Sequence, residues 1–200
     1  MQPFEKTQYI NETISELDVS EMHFNSITFQ NCIINHCSLT ECEFKKCTFE
    51  KCRFEKSDLS LVKFPLTTFS KTQFIECRLL GVNWCQADWQ TRSLLHTDRL
   101  DFEGCRLDHG TFIGLDLKGT SFIRSKARHL DFESADLTQT DFRDADLEGT
   151  RFVGCDLTKA NFVGAHNYQI DAAQNTLHKT RFSLPEAVAL LHSLDIVLED

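Results

Sequence analysis

Nine cysteines are the residues of this 200-residue chain with the clearest capacity for chemistry. Thiolates bind zinc, and paired thiols form disulfides. Eight of the nine, however, stand two positions before a large apolar residue, as in Cys42-Glu43-Phe44. Neighbours such as Cys37 and Cys42 are expected on different faces of a turning chain, which disfavours a tetrahedral metal site. We therefore predict reduced, buried cysteines that fill the core, with no metal and no cofactor.

Other catalytic signatures are missing from the sequence. It contains no G-x-S-x-G, G-x-G-x-x-G, phosphate-loop or H-E-x-x-H motif. The eight histidines are scattered, and several fall at positions expected to face solvent: His23, His36, His109 and His129. We predict a protein without enzymatic activity.

A period of five residues organises most of the chain. Apolar residues, mostly phenylalanine and leucine, occupy every fifth position from 24 to 94, and the series resumes at 102 and runs to 162 with one lapse at Ala127. A helix requires an apolar contact about every 3.6 residues and a strand about every 2. A period of five therefore implies a turn in every repeat, and we call the apolar residue the centre of its repeat.

The other positions of each repeat fit such a turn. The residue two before the centre is small, so both face inward from an extended segment, while the polar residue between them faces solvent. Seven of the eight glycines lie two places after a centre, where a turn with positive φ suits glycine. A chain that turns in this way forms a solenoid whose coils bury their inward residues against each other.

The number of faces follows from the second half of the chain. From 102 to 162, phenylalanine and leucine alternate as centres, which is a ten-residue period. Four faces per coil would stack like on like and would set two phenylalanine faces opposite each other. About seven to eight coils at a spacing of roughly 4.8 Å would make a rod about 35 Å long.

This pattern resembles the pentapeptide-repeat family, in which a small residue, Asp or Asn, and Leu or Phe precede two variable residues. The resemblance covers roughly residues 20–165, and clear matches are Ala135-Asp136-Leu137, Ala145-Asp146-Leu147 and Ala160-Asn161-Phe162. It implies an all-β fold, a right-handed quadrilateral parallel β-helix.

Breaks in the repeat define the expected segments. We expect an N-terminal cap over residues 1–20, two parts of the solenoid over 21–94 and 102–170, and a C-terminal cap and dimerisation segment over 171–200. The slip at 95–101 predicts a short loop between the two parts. Its candidate contact residues are His96, Asp98 and Arg99.

Two tryptophans interrupt the series of smaller centres just before that slip. An interior sized for phenylalanine should not accommodate the indoles of Trp84 and Trp89 unchanged. We therefore expect a distorted coil between about residues 80 and 101.

The C-terminal segment has the pattern of a helix followed by a short apolar tail. Ser183 and Glu186 have the spacing of a capping box, which predicts a helix through about Ser193. Its apolar face would cover the open end of the solenoid, and a two-fold partner would bury the tail. A tail folded back on its own cap is the alternative. We expect a homodimer joined through the C-termini by Leu190, Leu191, Leu194, Ile196, Val197 and Leu198.

Acidic side chains dominate the surface, and the net charge is −9. Between Asp131 and Asp156 there are eight acidic residues and two basic ones. Four-face stacking would place Asp116, Asp136 and Asp156 in a ladder, which favours a cationic partner or raised pKa values. Asp before the centre also suits the repeat itself, so both explanations stay open. The candidate partner-binding acids are Asp116, Asp131, Glu133, Asp136, Asp144, Glu148 and Asp156.

A slender acidic rod has the outline of duplex DNA, although a 35 Å stretch of B-DNA would carry about twenty charges. Mimicry of DNA would therefore rest on shape plus a local patch, and the sign of the charge disfavours direct nucleic-acid binding. The sequence shows no charged-then-apolar leader and no apolar stretch near 18 residues. We expect a cytoplasmic protein without membrane contact.

Several segments are similar to the topoisomerase-protecting branch of the family, more to its albicidin-resistance members than to its quinolone-resistance members. They are Leu59-Ser60-Leu61 with Pro65, Leu80-Gly81-Val82-Asn83-Trp84, Asn167-Tyr168-Gln169-Ile170-Asp171 and Arg181-Phe182-Ser183-Leu184-Pro185-Glu186-Ala187. The resemblance implies a homodimer that resembles DNA, binds DNA gyrase or topoisomerase IV, and counters a topoisomerase poison. The quinolone-resistance proteins carry a longer projecting loop than 95–101, which weakens the expectation of quinolone protection.

The alternative function is a β-helix scaffold for an unrelated protein partner. An apolar cluster of Leu61, Leu66 and Leu80 is expected beside one corner of the rod, and such a patch can mark a contact site. An assay of DNA supercoiling by gyrase distinguishes the two functions.

Overall fold

Short parallel strands and turns make up nearly all of the protein. The computed structural model describes residues 4–89 and 100–194, with side chains as far as residue 191. Within these residues, two 3-10 helices lie at Trp84–Gln86 and Glu186–Leu194. The strands in the described ranges are β1 Gln8–Ile10, β2 Thr13–Ser15, β3 His23–Asn25, β4 Thr28–Gln30, β5 Ile33–Asn35, β6 Glu43–Lys45, β7 Thr48–Glu50, β8 Arg53–Glu55, β9 Thr68–Ser70, β10 Thr72–Ile75, β11 Leu100–Glu103, β12 Asn161–Phe162 and β13 Arg181–Phe182.

The strands stack in parallel with an offset of 20 residues. One sheet has the order β11-β10-β8-β5-β2, and another has β1-β4-β7-β9. Ile34 pairs with Phe54, for example, and single-residue bridges continue the same offset from Asp101 to His166. Since 20 residues hold four repeats of five, the predicted four-sided parallel solenoid is confirmed, with about eight coils.

Each side of the coil is named here by its centres. Face I contains Phe24, Phe44, Phe64, Trp84, Phe112, Phe132 and Phe152. Face II contains Tyr9, Phe29, Phe49, Phe69, Trp89, Leu117, Leu137 and Leu157. Face III contains Ile14, Ile34, Phe54, Phe74, Phe102, Phe122, Phe142, Phe162 and Phe182. Face IV contains Val19, Leu39, Leu59, Leu79, Leu107, Ala127 and Leu147.

Two columns of aromatic rings meet along the middle of the rod. Within face III, the ring of Phe122 stacks on Phe102 and Phe142 at centroid distances of 5.1 and 5.2 Å. Across the rod it meets Phe112 of face I edge to face, at 5.7 Å and 89°. Both geometries are favourable for aromatic pairs. The two phenylalanine faces therefore lie opposite each other, as the ten-residue period predicts.

The small inward position is filled by buried polar or sulfur side chains that bond the coil below. The thiol of Cys52 donates to the carbonyl of Phe29 at 3.3 Å, and the hydroxyl of Thr72 donates to that of Phe49 at 3.0 Å. Burial raises the pKa of Cys52 to about 12 and that of Cys42 to about 11. The eight in-register cysteines are free and buried, and Cys85 is exposed. The predicted role of these cysteines in the core is confirmed.

The corners of the coil adopt the left-handed conformation. The φ angles there are +67° for Gly81 and +76° for Gly164 among the glycines, and +53° for Lys46 among the other residues. A Cβ added to Gly164 would lie 2.1 Å from Oδ1 of Asp144 on the coil below. Glycine is therefore needed at this corner for two reasons, the backbone angle and the close neighbour.

The N-terminus differs from the prediction. Residues 1–20 were expected to form a separate cap, but β1 and β2 already pair in register with β4 and β5. The core at this end is closed by a single ring, because Phe4 packs edge to face on Tyr9, Phe24 and Phe29 at 4.8–5.5 Å. Tyr9 and Ile14 serve as centres in place of phenylalanine and leucine, so the solenoid extends beyond the family pattern.

The two tryptophans cause less distortion than expected. Trp84 is fully buried and remains in the column of face I, stacked on Phe64 at 5.5 Å and Phe112 at 5.7 Å. The backbone responds only by forming one turn of 3-10 helix. Trp89 is half-buried against Phe69, and its indole N–H donates to the carbonyl of Trp84 at 2.8 Å.

Additional residues are inserted between faces II and III of one coil. Thr72 pairs with Leu100, an offset of 28 instead of 20, so this coil holds eight more residues than the others. The predicted loop boundary of 101 is too late, because β11 begins at Leu100. His96, Asp98 and Arg99 lie outside the described residues.

The C-terminal helix is a 3-10 helix over Glu186–Leu194 rather than an α-helix opened by a capping box. The hydroxyl of Ser183 accepts a hydrogen bond from the N–H of Gly164 at 3.0 Å, so it anchors the segment to the last coil. Leu190 packs partly against the core. The side chain of Leu194 and residues 196–198 lie outside the described part of the chain.

The ring columns predict the stability of the whole rod. Replacing fully buried Phe122 with Ala should lower the free energy of unfolding by about 3–5 kcal/mol, because four ring contacts are lost and a cavity remains. Phe122→Leu, which retains most of the volume, should cost under about 1.5 kcal/mol. Urea unfolding followed by circular dichroism measures both, and equal stability of Phe122→Ala and wild type would contradict the packing described.

Candidate functional site

Three aspartates form a ladder on face II. Asp116, Asp136 and Asp156 are neighbours on successive coils through parallel bridges. The Oδ1 atom of each accepts the backbone N–H two residues later, at 2.9–3.0 Å, as in the bond from Thr158 to Asp156. The ladder predicted from four-face stacking is therefore present, and each member also supports its own turn.

The pKa expectation for this ladder is wrong at Asp156. Its hydrogen bonds, first of all with Thr158, outweigh burial and hold the pKa of Asp156 below its ordinary value. The nearby Lys118 acts in the same direction. Asp156 is therefore a stable anion at neutral pH, which an approaching cationic group would meet fully charged.

The other predicted acids do not join this ladder. Asp131 and Glu133 lie on face I, and Arg151 contacts them at 3.2 and 2.7 Å. Glu148 lies on face IV, 3.6 Å from Arg128. Asp144 is exposed at the corner between faces III and IV, with a φ of +57°. The seven candidates are thus spread around the rod rather than gathered on one acidic face.

Arginines neutralise much of the acidic segment. Of the eight acidic residues between 131 and 156, five contact an arginine within 4 Å: Asp131, Glu133, Asp141, Asp146 and Glu148. Exposed ion pairs of this kind add little stability, but they reduce the field that a partner meets. The face II ladder is therefore the strongest candidate contact among the acids.

A polar cluster that sequence reasoning missed joins the last coils on face IV. Asp146 is only 6% exposed, and its carboxylate accepts from Nε of Arg128 at 2.7 Å and from Nδ2 of Asn167 at 3.0 Å. Burial alone would raise the pKa of Asp146, but these hydrogen bonds hold it below the ordinary value. The signal in the sequence was Asn167, a polar residue five places after the last regular centre.

Other classes of site are not found in the described residues. Within residues 4–89 and 100–194, His, Cys, Asp and Glu side chains form no group that could hold a metal ion. The same residues contain no helix long and apolar enough to cross a bilayer. The candidate functional groups are therefore the outward side chains of the faces and corners.

These features define a class of protein, a β-solenoid whose interior is filled by its own repeats and whose chemistry is confined to the exterior. The family model of the pentapeptide repeat region matches residues 27–101 and 96–162. The chain therefore belongs to the pentapeptide-repeat family. No curated protein matches it significantly.

Solved structures of QnrB1, a plasmid-mediated fluoroquinolone resistance protein, are similar along almost their whole length. A trypsin-treated variant of QnrB1 has a TM-score of 0.53 at 15% identity, covering 96% of this chain and 97% of QnrB1. Full-length QnrB1 gives the same score and identity, covering 92% of this chain and 100% of its own. At this identity the likeness shows a shared fold.

The Asp146 cluster predicts a pH-dependent contribution to stability. Because the folded pKa of Asp146 lies below its unfolded value of about 3.9, its contribution is present above that pH and is lost as the pH falls through the folded pKa. Asp146→Asn should lower the free energy of unfolding by about 1–3 kcal/mol at pH 7. The difference from wild type should shrink towards pH 3 in urea titrations. A difference independent of pH would contradict the charged pair.

Proposed function

We propose that this protein is a non-enzymatic, DNA-mimicking factor that binds DNA gyrase or topoisomerase IV and protects it from a topoisomerase poison. The observation that carries the proposal is a rod of stacked coils that aligns over 96% of its length with QnrB1, a fluoroquinolone resistance protein. The similarity of segments such as Leu80–Trp84 to the topoisomerase-protecting branch supports it. We further propose that the protein acts in the cytoplasm, without contacting a membrane or nucleic acid directly.

Shape and charge contribute unequally to the proposed mimicry. About eight coils at roughly 4.8 Å give a length close to one turn of B-DNA, about 34–36 Å. The net charge of −9 is under half of the roughly twenty charges on such a stretch of DNA, and arginines pair with much of it. The contact with the enzyme therefore uses the face II ladder locally, and the rest of the surface serves by shape.

A homodimer joined through the C-termini belongs to the same proposal. Leu191 is half-buried in the monomer, and it follows Leu190, which packs partly on the core. A two-fold partner would cover this helix and extend the rod to twice its length. The tail residues 196–198 would contribute from outside the described range.

A scaffold for an unrelated protein is the second candidate function. Leu61 and Leu66 are 49% and 56% exposed, whereas Leu80 is half-buried. An exposed apolar pair favours a protein partner of any kind, because it requires no charge on that partner.

Supercoiling of relaxed plasmid DNA by purified gyrase tests the proposed activity. Wild-type protein should inhibit supercoiling at high concentration and restore it in the presence of albicidin or a fluoroquinolone. Replacing Asp116, Asp136 and Asp156 together with Asn should weaken both effects by roughly tenfold, because each lost charge contact costs on the order of 0.5–1 kcal/mol.

Asp18 and Asp58 provide the matched control for this experiment. Their Oδ1 atoms accept the N–H two residues later, as in the ladder, but both lie on face IV. The variant with Asn at both positions should behave as wild type. Wild-type protein that neither inhibits nor rescues gyrase would refute the proposed function.

Light scattering coupled to size exclusion tests the dimer. Wild-type protein at micromolar concentration should be dimeric, and Leu191→Asp should be monomeric because a charge would be buried in the interface. Leu184→Asp is the control in the same terminal segment, since Leu184 is 80% exposed and should tolerate charge. A monomeric wild type would refute the dimer.

A further inference from the structure

Two exposed leucines flank face I at the middle of the rod. Leu61 lies at the corner that precedes this face and Leu66 at the corner that follows it, with exposures of 49% and 56%. On the same face two coils further along, Ile113 is 43% exposed. We refer to Leu61, Leu66 and Ile113, with the face between them, as the face I patch.

The face I patch is free of charge over two coils. Residues 81–86 and 109–114, which form face I and its corners there, include no Asp, Glu, Lys or Arg. Charged residues bound the patch on both sides, with Lys63 at one end and Asp131 at the other. Since 26% of the chain is charged, a neutral window with exposed leucines has the composition of the core of a protein interface.

The backbone makes these two leucines unfavourable choices for the fold. Their φ angles are +58° and +56°, in the left-handed region. Side chains other than Gly, Asn and Asp are disfavoured there by roughly 1–2 kcal/mol. Half-exposed leucine recovers little by burial, so neither conformational preference nor packing in the monomer explains them.

A surface cavity lies directly beside Leu61. Its volume is about 290 Å³, and its wall combines the apolar Leu61 and Val62 with the polar Asn83 and Gln86. Gly81 opens this cavity, because a Cβ there would lie 2.8 Å from Cδ2 of Leu61. A concave apolar site with a few polar groups at its rim is suited to one large apolar side chain of a partner.

We propose that the face I patch binds an apolar side chain presented by the topoisomerase itself, next to the acidic ladder of face II. This inference rests on the proposed function and names the surface involved. A second copy of the chain is disfavoured, because three partly exposed side chains offer on the order of a few hundred Å² at most, against about 800 Å² per partner in a stable interface. Nucleic acid is disfavoured, because Lys63 alone supplies positive charge to the cavity wall.

Replacing both leucines with Asn separates binding from stability. Asn tolerates the left-handed conformation, so Leu61→Asn with Leu66→Asn should unfold at the same temperature as wild type or higher. Its affinity for purified gyrase, measured by calorimetry, should fall at least tenfold. This loss should persist between 50 and 300 mM salt, because an apolar contact is not screened, whereas the effect of the Asp ladder variant should diminish.

Lys51 and Lys56 provide the matched control. They flank face III as the leucines flank face I, with φ angles of +52° and +46°. Asn at both positions should leave the affinity within twofold of wild type.

The possible outcomes are distinct. Wild-type affinity of the double leucine variant would overturn this inference and leave the proposed function intact, whereas wild-type protein that does not bind gyrase would refute both. A dimer that dissociates on the double leucine substitution would instead identify a second copy as the occupant and overturn the inference.

Discussion

Each coil of this solenoid can bury its large side chains only against the coils above and below it. The ring of Phe122 has no other neighbours of comparable size than Phe102, Phe142 and the rings of face I. The 20-residue offset must therefore be kept from β1 to β13, and the eight additional residues are accommodated outside the stack, between Trp89 and Leu100. An interior filled so completely leaves the outward positions and the corners as the only places where sequence can vary for function.

That constraint also changes the meaning of the acidic residues. An aspartate before the centre binds the N–H two residues later, as Asp136 does with Thr138 at 2.9 Å, so its presence is explained by the turn alone. The same role is filled by Asp18 and Asp58 in the less acidic half. What the turn does not require is that three such residues follow each other on one face. The functional content of the acidity lies in that succession rather than in the net charge.

The repeat made most of the fold predictable from the sequence. The interval of five gave the centres, the glycines gave the corners, and the alternation of Phe and Leu gave four faces. The sequence pattern was less informative where another residue could fill the same space: Tyr9 and Ile14 continue the solenoid, and Trp84 replaces phenylalanine in its column. The Asp146 cluster was not predictable, because residues 18 and 21 positions away in the chain supply its partners.

The exterior places two unlike features side by side. Leu66 lies at the corner between faces I and II, and Asp116 on face II follows the patch residue Ile113 within the same coil. A partner that grips this edge of the rod would meet apolar surface towards the N-terminal half and the aspartate ladder towards the C-terminal half. Charge would govern the rate and salt dependence of its approach, while the apolar contact would govern how slowly it leaves. A shape that resembles DNA thus acquires, on one edge, the neutral contact that DNA itself does not offer to a protein.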